Sequence, residues 1–374
     1  MVSILDEIKK LRKENEFQVD INNTNKYRIV INENDGSKTA YYFSTPIYNY
    51  RTKHLLNLKY QKLGNQILYY GSNSEIIFRD NTITMENENF NCAILLKKSI
   101  VFNNEKQLIC IKDKILPTTN GFVYKANCDG NNYFSFELIA NSSFVKISSN
   151  NKYFSLNNEY NIPLITISCV GAAENSGNII APSKIEYEKI DDNKFLVTVT
   201  ACSPMAKWHL FEVNLYEQKL IQDTTVESNN PTENNVFGGI AFLGRSHEFG
   251  EQWLYSKIDY SKISDVFNLN VQKILLHLPQ HNNFRHSLCV HKPIMRFCSF
   301  GSNWDNRIFA LRENEIKSTL NNGYQTFDLT QYFTDKYDRF IETTGITIKG
   351  QNGFAVITTG DSYYAPQIYE IKIK

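Results

Sequence analysis

Hydrophobic and polar residues alternate along most of this chain, with the two-residue period of β-strands that bury one face. The runs at 195–200 and 208–215 are clear examples. Such runs are short and are separated by turn residues at intervals of about ten residues, a spacing typical of antiparallel sandwiches. The pattern therefore predicts an all-β protein and argues against a parallel α/β sheet.

Two pairs of these runs predict β-hairpins, because polar turn residues lie between their members. The pairs are 27–31 with 39–43 and 122–125 with 133–138, and two further strand-like runs, 184–188 and 195–200, flank Asp191-Asp192-Asn193. The first pair encloses Asp35-Gly36 and the second encloses Asp129-Gly130. Asp-Gly accepts the positive φ angles that tight hairpin turns require.

Residues 3–15 form the one predicted helix. Acidic residues lie in its first turn and basic residues follow towards its C-terminal end, as the helix dipole favours. Ile4, Ile8 and Leu11 share one narrow apolar stripe. Two interpretations remain open at this point. The helix caps its own β-domain, or the stripe docks the protein onto another subunit.

A defined order of motifs runs from residue 223 to the last strand. The motifs are Asp223-Thr224-Thr225-Val226, Phe237-Gly238-Gly239, Gln252-Trp253-Leu254-Tyr255, residues 271–278, Ser302-Asn303-Trp304-Asp305, residues 327–333, residues 345–349 and residues 366–373. This order resembles the DNRLRE family of bacterial jelly-roll domains, which are related to carbohydrate-binding modules. Asp328-Leu329-Thr330 and Pro366-Gln367-Ile368 stand where the family has comparable motifs. The contiguous string that names the family is absent.

The resemblance implies a jelly-roll fold and brings no catalytic residues with it. Together with the strand pattern, it predicts tandem antiparallel β-sandwich domains with a short N-terminal helix and a C-terminal jelly roll. The predicted divisions are a helix at 1–16, a β-domain at 17–90, a β-sandwich at 91–221 and the jelly roll at 222–374.

Charge and hydropathy exclude several classes of partner. The 374-residue chain has a net charge of +1 and no basic block, so we expect no nucleic-acid-binding face. No apolar run reaches the roughly 20 residues of a membrane-spanning helix. The first residues also lack the basic start and apolar stretch of a signal peptide. We therefore expect synthesis in the cytoplasm without export by the secretory route.

The cysteines support the same expectation. Their number is odd and they are scattered singly through strand-like segments, at Cys92, Cys110, Cys128, Cys169, Cys202, Cys289 and Cys298. This pattern predicts buried free thiols in a reducing compartment.

Candidate catalytic and metal-binding chemistry is sparse. Histidines and cysteines cluster between residues 277 and 298, at His277, His281, His286, Cys289, His291 and Cys298. Because this stretch has no paired zinc-ligand framework and several members lie in strand-like runs, no metal site and no cofactor are predicted. No nucleophile, base and acid show a defensible spacing, so we expect the protein not to be an enzyme.

Aromatic residues next to polar ones give a candidate glycan site. Flat rings stack on apolar sugar faces, and neighbouring polar groups bind hydroxyls. Trp304, Asp305 and Arg307 form one such group, and Tyr363 and Tyr364 form another on a predicted loop before the last strand. A structural role for Trp304 in the core is the competing interpretation.

Two functional hypotheses follow. The chain, including residues 39–49, resembles structural proteins of phage or phage-tail-like bacteriocin elements. A non-enzymatic structural or host-attachment subunit of such a particle would be made in the cytoplasm and released by lysis. It would contact other particle subunits through its N-terminal region, form homo-oligomers and bind cell-surface glycan. The alternative is a glycan-binding module for cell-surface polysaccharide that belongs to no particle.

Overall fold

The computed structural model describes residues 4–49, 54–56, 60–98, 100–102, 108–110, 113–128, 132–141, 144, 146–259, 262–263, 270–311, 315–334 and 345–374. The helical elements in these ranges are α1 (Ile4–Arg12), a 3-10 helix (Ile21–Asn23) and α2 (Thr330–Thr334). No helix in these ranges is long and apolar enough to cross a membrane.

Strands fill most of the remaining chain. The first four are β1 (Gln18–Val19), β2 (Arg28–Asn32), β3 (Lys38–Phe43) and β4 (Tyr48–Asn49). They are followed by β5 (His54–Leu55), β6 (Gln61–Leu63), β7 (Gln66–Tyr70), β8 (Glu75–Arg79), β9 (Thr82–Glu86), β10 (Asn91–Leu95), β11 (Val101–Phe102), β12 (Leu108–Cys110), β13 (Asp113–Pro117), β14 (Gly121–Asn127), β15 (Tyr133–Ala140), β16 (Lys146–Ser149), β17 (Tyr153–Asn157), β18 (Pro163–Ala173), β19 (Ile179–Ala181), β20 (Ser183–Asp191), β21 (Lys194–Ala201) and β22 (Trp208–Leu215). The last are β23 (Ile221–Glu227), β24 (Ile240–Ser246), β25 (Gly250–Ile258), β26 (Val271–Pro279), β27 (Cys289–His291), β28 (Ile316–Lys317), β29 (Thr319–Asn321), β30 (Tyr324–Asp328), β31 (Ile346–Lys349), β32 (Phe354–Thr358) and β33 (Ile368–Ile373).

The all-β prediction is confirmed: antiparallel sheets pack as sandwiches, with a short helix at the N-terminus. Apart from a two-stranded sheet of β4 and β5, the strands of the described ranges form four large sheets. The chain separates into two compact units, Asn49–Gln218 and a second unit that combines Val2–Tyr48 with Lys219–Lys374.

The first unit is a sandwich of two sheets. One sheet has the order β20-β21-β15-β10-β9-β8-β7-β6, and the other has the order β11-β12-β13-β14-β22-β18-β17-β16, with β19 beside β18. Alternate residues of both sheets form one core, because successive side chains of a strand point to opposite faces. Phe78 and Phe136 of the first sheet and Phe122 and Phe211 of the second are buried there.

The second unit is the jelly-roll-like sandwich. Its sheets have the orders β1-β2-β3-β33-β26-β30-β29 and β28-β27-β31-β25-β24-β32, with β23 beside β25. Its core combines Tyr42, Leu276 and Tyr369 of the first sheet with Leu254 and Ile348 of the second. Three of its strands, β1, β2 and β3, come from the start of the chain.

This arrangement corrects the predicted domain boundaries. The predicted boundary at residue 90 lies between β9 and β10, which pair with each other through Glu86 and Asn91. The predicted domain at 17–90 is therefore not a unit. Its first part pairs with the end of the chain instead, since β3 lies beside β33 with Thr39 opposite Lys372. The observed division at 218 and 219 lies close to the predicted one at 221 and 222.

One of the two predicted hairpins is confirmed. β2 pairs with β3, and Gly36 between them has a φ of 80°. The strand-like runs at 184–188 and 195–200 lie in β20 and β21, which pair with each other. The second predicted hairpin is wrong: β14 pairs with β13 and β22, whereas β15 pairs with β10 and β21 in the other sheet. Its turn, Asp129-Gly130, lies outside the described residues.

The N-terminal helix is fixed to its own unit. Ile8 and Leu11 are buried and Ile4 is half-buried, so two of the three proposed docking residues have little surface to offer. Arg12 donates to Glu33 at 2.7 Å beside β2, and Asn322 beside β30 donates to the carbonyl of Lys10 at 2.7 Å. These contacts favour the capping interpretation over the docking one.

The six cysteines whose side chains are described form no disulfide bonds with one another. Cys92, Cys128, Cys169 and Cys289 are buried, whereas Cys298 is exposed. Cys202 is half-buried, and the side chain of Cys110 lies outside the part of the structure that is described. Burial agrees with the sequence-based expectation at Cys92, Cys128, Cys169 and Cys289, whereas the expectation of burial is wrong for Cys298.

Candidate binding surface

The second unit carries an irregular segment at residues 292–311, between β27 and β28. Its two ends run antiparallel, with Pro293 bridged to Ala310 and the amide of Ile294 donating to the carbonyl of Phe309 at 3.0 Å. A turn in its middle is closed by reciprocal bonds, in which the amides of Asn303 and Asn306 each donate to the other's side-chain oxygen at 2.8 and 3.0 Å. The segment is therefore ordered by hydrogen bonds although it contains no long strand.

Trp304 and Arg307 lie together on this segment. The guanidinium carbon of Arg307 is 4.4 Å from the centre of the Trp304 ring and 5.1 Å from that of Phe309. The side chain also donates to the Trp304 carbonyl at 2.8 Å. Flat guanidinium groups stack favourably on aromatic faces, so Arg307 links the two rings.

Trp253 of β25 lies on the sheet and packs against Trp304. Its ring centre is 5.2 Å from that of Trp304, and its indole nitrogen donates to Glu251 at 2.6 Å. Lys349 of β31 lies over the same ring, with its ammonium nitrogen 3.4 Å from the ring centre. Trp253 and Lys349 meet because β25 and β31 place them directly opposite each other. The cluster is thus anchored on the sheet.

Large apolar side chains are exposed on the same segment. Phe309 keeps 56% of its surface exposed, and the other members of this group are Ile294, Met295, Phe300 and Leu311. We call these five residues the apolar surface. Single exposed apolar residues are ordinary, but several on one short segment are typical of an interaction site.

The predicted glycan residues do not form one group. Trp304 is half-buried against Trp253, so the core interpretation and the surface interpretation each describe part of its environment. Asp305 is exposed, and its amide donates to the carbonyl of Pro231 at 3.1 Å. The structure brings Trp304 and Arg307 together and places Tyr363 and Tyr364 among other neighbours.

Tyr363 lies inside the protein rather than on a free loop. It is 3% exposed, and the ammonium group of Lys219 lies 4.8 Å from its ring centre. Lys219 forms an ion pair with Asp361 at 2.7 Å. Tyr364 is half-buried beside His281, with ring centres 5.2 Å apart. The expectation that Tyr363 is an exposed stacking residue is therefore wrong.

A buried carboxyl group lies next to this cluster. Asp223 accepts from the amide of Gly360 at 2.5 Å and interacts with Asp361. Burial, and after it the negative charge of Asp361, raises the pKa of Asp223 well above its usual range. Because these groups are enclosed, we interpret them as part of the scaffold that holds the chain after β32.

The histidines and cysteines between 277 and 298 separate into different environments. His277 lies between Thr326 and Glu370, at 3.0 Å from each, and joins neighbouring strands. His281 is half-buried, and desolvation of its ring lowers its pKa to about 4. Cys289 and His291, in contrast, lie close to Glu315, and the side-chain ligand atoms of these three residues are within 4.8 Å of one another.

The sequence matches no protein-family model and no curated protein. The site therefore has to be interpreted from its own chemistry. Sequence reasoning selected Trp304 and Arg307 but missed Phe309, Trp253 and Lys349. Of these three residues, Phe309 was the easiest to identify from the sequence, because it is an aromatic residue two positions beyond Arg307.

Proposed function

We propose that this protein is a non-enzymatic structural subunit of a phage or phage-tail-like particle and that the apolar surface contacts a neighbouring copy of the protein. The observation that carries the proposal is the exposure of Phe309 and of the four other apolar residues on one ordered segment. Complete burial of a side chain such as Phe, Met, Ile or Leu contributes about 1.5–3 kcal/mol. Several such side chains at one contact supply much of what a stable association needs.

The proposal moves the subunit contact away from the N-terminal helix. Ile8 and Leu11 are already buried in their own unit, whereas Ile294 and Phe309 are exposed. An exposed apolar face gains free energy when another subunit covers it, and a buried one has little left to gain. The resemblance of the sequence to structural proteins of phage-like elements supports the particle, and the free thiols agree with assembly in the cytoplasm.

The test is self-association of a double variant. Phe309→Ser with Met295→Ser removes two large members of the apolar surface without touching the core. A matched control is Tyr160→Ser with Met205→Ser, since Tyr160 and Met205 are 74% and 75% exposed on the other unit. Sedimentation velocity over a range of protein concentrations should show weaker self-association for the first pair alone, and immunogold microscopy of lysates should show weaker incorporation into particles. Equal behaviour of both pairs would refute the assignment of this surface.

A glycan-binding module is the second candidate, and the stacking of Arg307 between Trp304 and Phe309 favours it. Arginine and exposed rings together can bind hydroxyl groups and apolar sugar faces. If sugar stacks on Phe309, Phe309→Ala should weaken binding on an array of bacterial surface polysaccharides by about tenfold, which corresponds to about 1.4 kcal/mol. Tyr160→Ala is the control. Glycan binding by a protein that stays monomeric and joins no particle would favour this second function.

A further inference from the structure

The chemistry at the base of the 292–311 segment follows from strand register. Cys289 and His291 are two residues apart on β27, so their side chains point to the same face of the sheet. β28 pairs with β27 with Val290 opposite Ile316 and Cys289 opposite Lys317. Continuing this register places Glu315 opposite His291, on that same face. The backbone therefore gathers a thiol, an imidazole and a carboxylate.

The distances between the three groups suit a small tetrahedral ion. The sulfur of Cys289 is 3.1 Å from Oε1 of Glu315, and Nε2 of His291 is 3.9 Å from Oε2. Zinc binds sulfur at about 2.3 Å and nitrogen or oxygen at about 2.0–2.2 Å, so its tetrahedral ligands lie about 3.5 Å from one another. Shifts of less than about 1 Å would bring these atoms to that spacing.

The surroundings of the cluster resemble those of known metal ligands. The His291 ring also hydrogen bonds to the backbone of Leu311, and such a second bond orients metal-binding imidazoles. Cys289 also lines a cavity of about 220 Å³ together with His286, Ser287, Lys317, Gln351 and Asn352, so this ligand borders space that water can enter.

We propose that Cys289, His291 and Glu315 bind one Zn²⁺ ion, with water in the fourth position. The zinc ion replaces the thiol proton of Cys289, which passes to solvent, so that a thiolate and a carboxylate balance the two positive charges of the metal. His291 directly precedes the 292–311 segment, and Glu315 follows it beside β28. The ion thus joins the two ends of that segment.

Calorimetric titration of the chelator-treated full-length protein with zinc chloride tests the proposal. We expect one ion per chain, and at least tenfold weaker binding in Cys289→Ser, His291→Ala and Glu315→Gln. Cys298→Ser and His247→Ala are the matched controls, because one removes an exposed thiol and the other an exposed imidazole outside the cluster. Both should bind zinc as the wild type does.

Two further measurements keep the test decisive if Cys289→Ser or His291→Ala folds poorly. Glu315 is exposed, so Glu315→Gln should fold normally, and zinc should raise the Tm of the wild type but not of this variant. Cobalt in place of zinc should give a thiolate-to-cobalt absorption band that Cys289→Ser lacks. Absence of zinc uptake by the wild type, or unchanged uptake by folded Glu315→Gln, overturns the proposal. In that case Glu315 simply accepts from Cys289 and pairs with Lys317, which lies 4.0 Å away.

Discussion

Tyr42 provides a sharp test of the observed division of the chain, because it belongs to the N-terminal segment but is buried in the core of the C-terminal sandwich. It lies on β3, directly opposite Tyr369 of β33, and is 1% exposed. Its hydroxyl accepts from Arg28 at 3.1 Å. Replacing Tyr42 with alanine should therefore destabilise the second unit, even though most of that unit lies more than 170 residues further along the chain.

The size of the effect follows from the removed ring. Truncation of a buried aromatic residue to alanine costs about 3–5 kcal/mol, since the transfer free energy is lost and a cavity remains. Loss of one hydrogen bond accounts for about 1 kcal/mol of this. We expect about 4 kcal/mol for Tyr42→Ala and about 1 kcal/mol for Tyr42→Phe, which keeps the ring. With an urea dependence of about 2 kcal/mol per molar, the midpoint should fall by about 2 M for the alanine variant.

Tryptophan fluorescence can report on the second unit alone. The chain has three tryptophans, and Trp208 is in the first unit, so a Trp208→Phe background leaves Trp253 and Trp304 as reporters of the second. Urea unfolding in this background measures the midpoint for the Tyr42 variants. The matched control is Tyr69→Ala, which removes an equally buried tyrosine from the core of the first unit. A larger shift of the Trp253 and Trp304 signal by Tyr69→Ala than by Tyr42→Ala would refute the assignment of β3 to the second unit.

Two further predictions concern the same unit. A fragment of residues 222–374 should fail to fold cooperatively by circular dichroism and thermal melting, because it lacks β2 and β3, whereas joining 4–48 to 219–374 through a flexible linker should restore a melting transition. For Asp223, the raised folded-state pKa means that its contribution to stability is complete below about pH 4 and is lost as the pH rises through that folded-state pKa. The urea midpoint of Asp223→Asn should accordingly decline less than that of the wild type between about pH 4 and pH 8, and parallel declines would contradict the assigned cause.

The fold class could be predicted because it depends on local pattern. The alternation in β21 and β22 and the Asp-Gly turn after β2 involve neighbouring residues only. The domain division could not be predicted in this way. The partner of β3 is β33, at the opposite end of the sequence, and nothing in residues 38–43 specifies which distant strand completes the sheet. The predicted hairpin of β14 and β15 failed for the same reason. β14 pairs with β22 and β15 pairs with β21, which are distant in sequence and belong to two different sheets.

The candidate sites show the same limit at the level of single residues. Tyr363 follows a turn and precedes the last strand, which suggested an exposed loop, but Lys219 and Asp361 close over it. Cys289 and His291 have the two-residue spacing that puts side chains on one face of a strand, so their proximity was available from the sequence. The third member, Glu315, joins them only through the pairing of β27 with β28.

Contacts that order the 292–311 segment before a partner arrives favour binding by this segment. A contact surface that is ordered before binding loses less conformational entropy when a partner arrives. Asn234 fixes one bend of the segment by donating to the carbonyls of Ser299 and Ser302 at 2.7 and 2.8 Å, and Trp253 fixes another from the sheet. Phe309 is therefore presented on a backbone that is already held at several points. The proposed zinc ion would add a further constraint where the segment joins β27 and β28, beside the hydrogen bond from the amide of Leu311 to the carbonyl of Lys292.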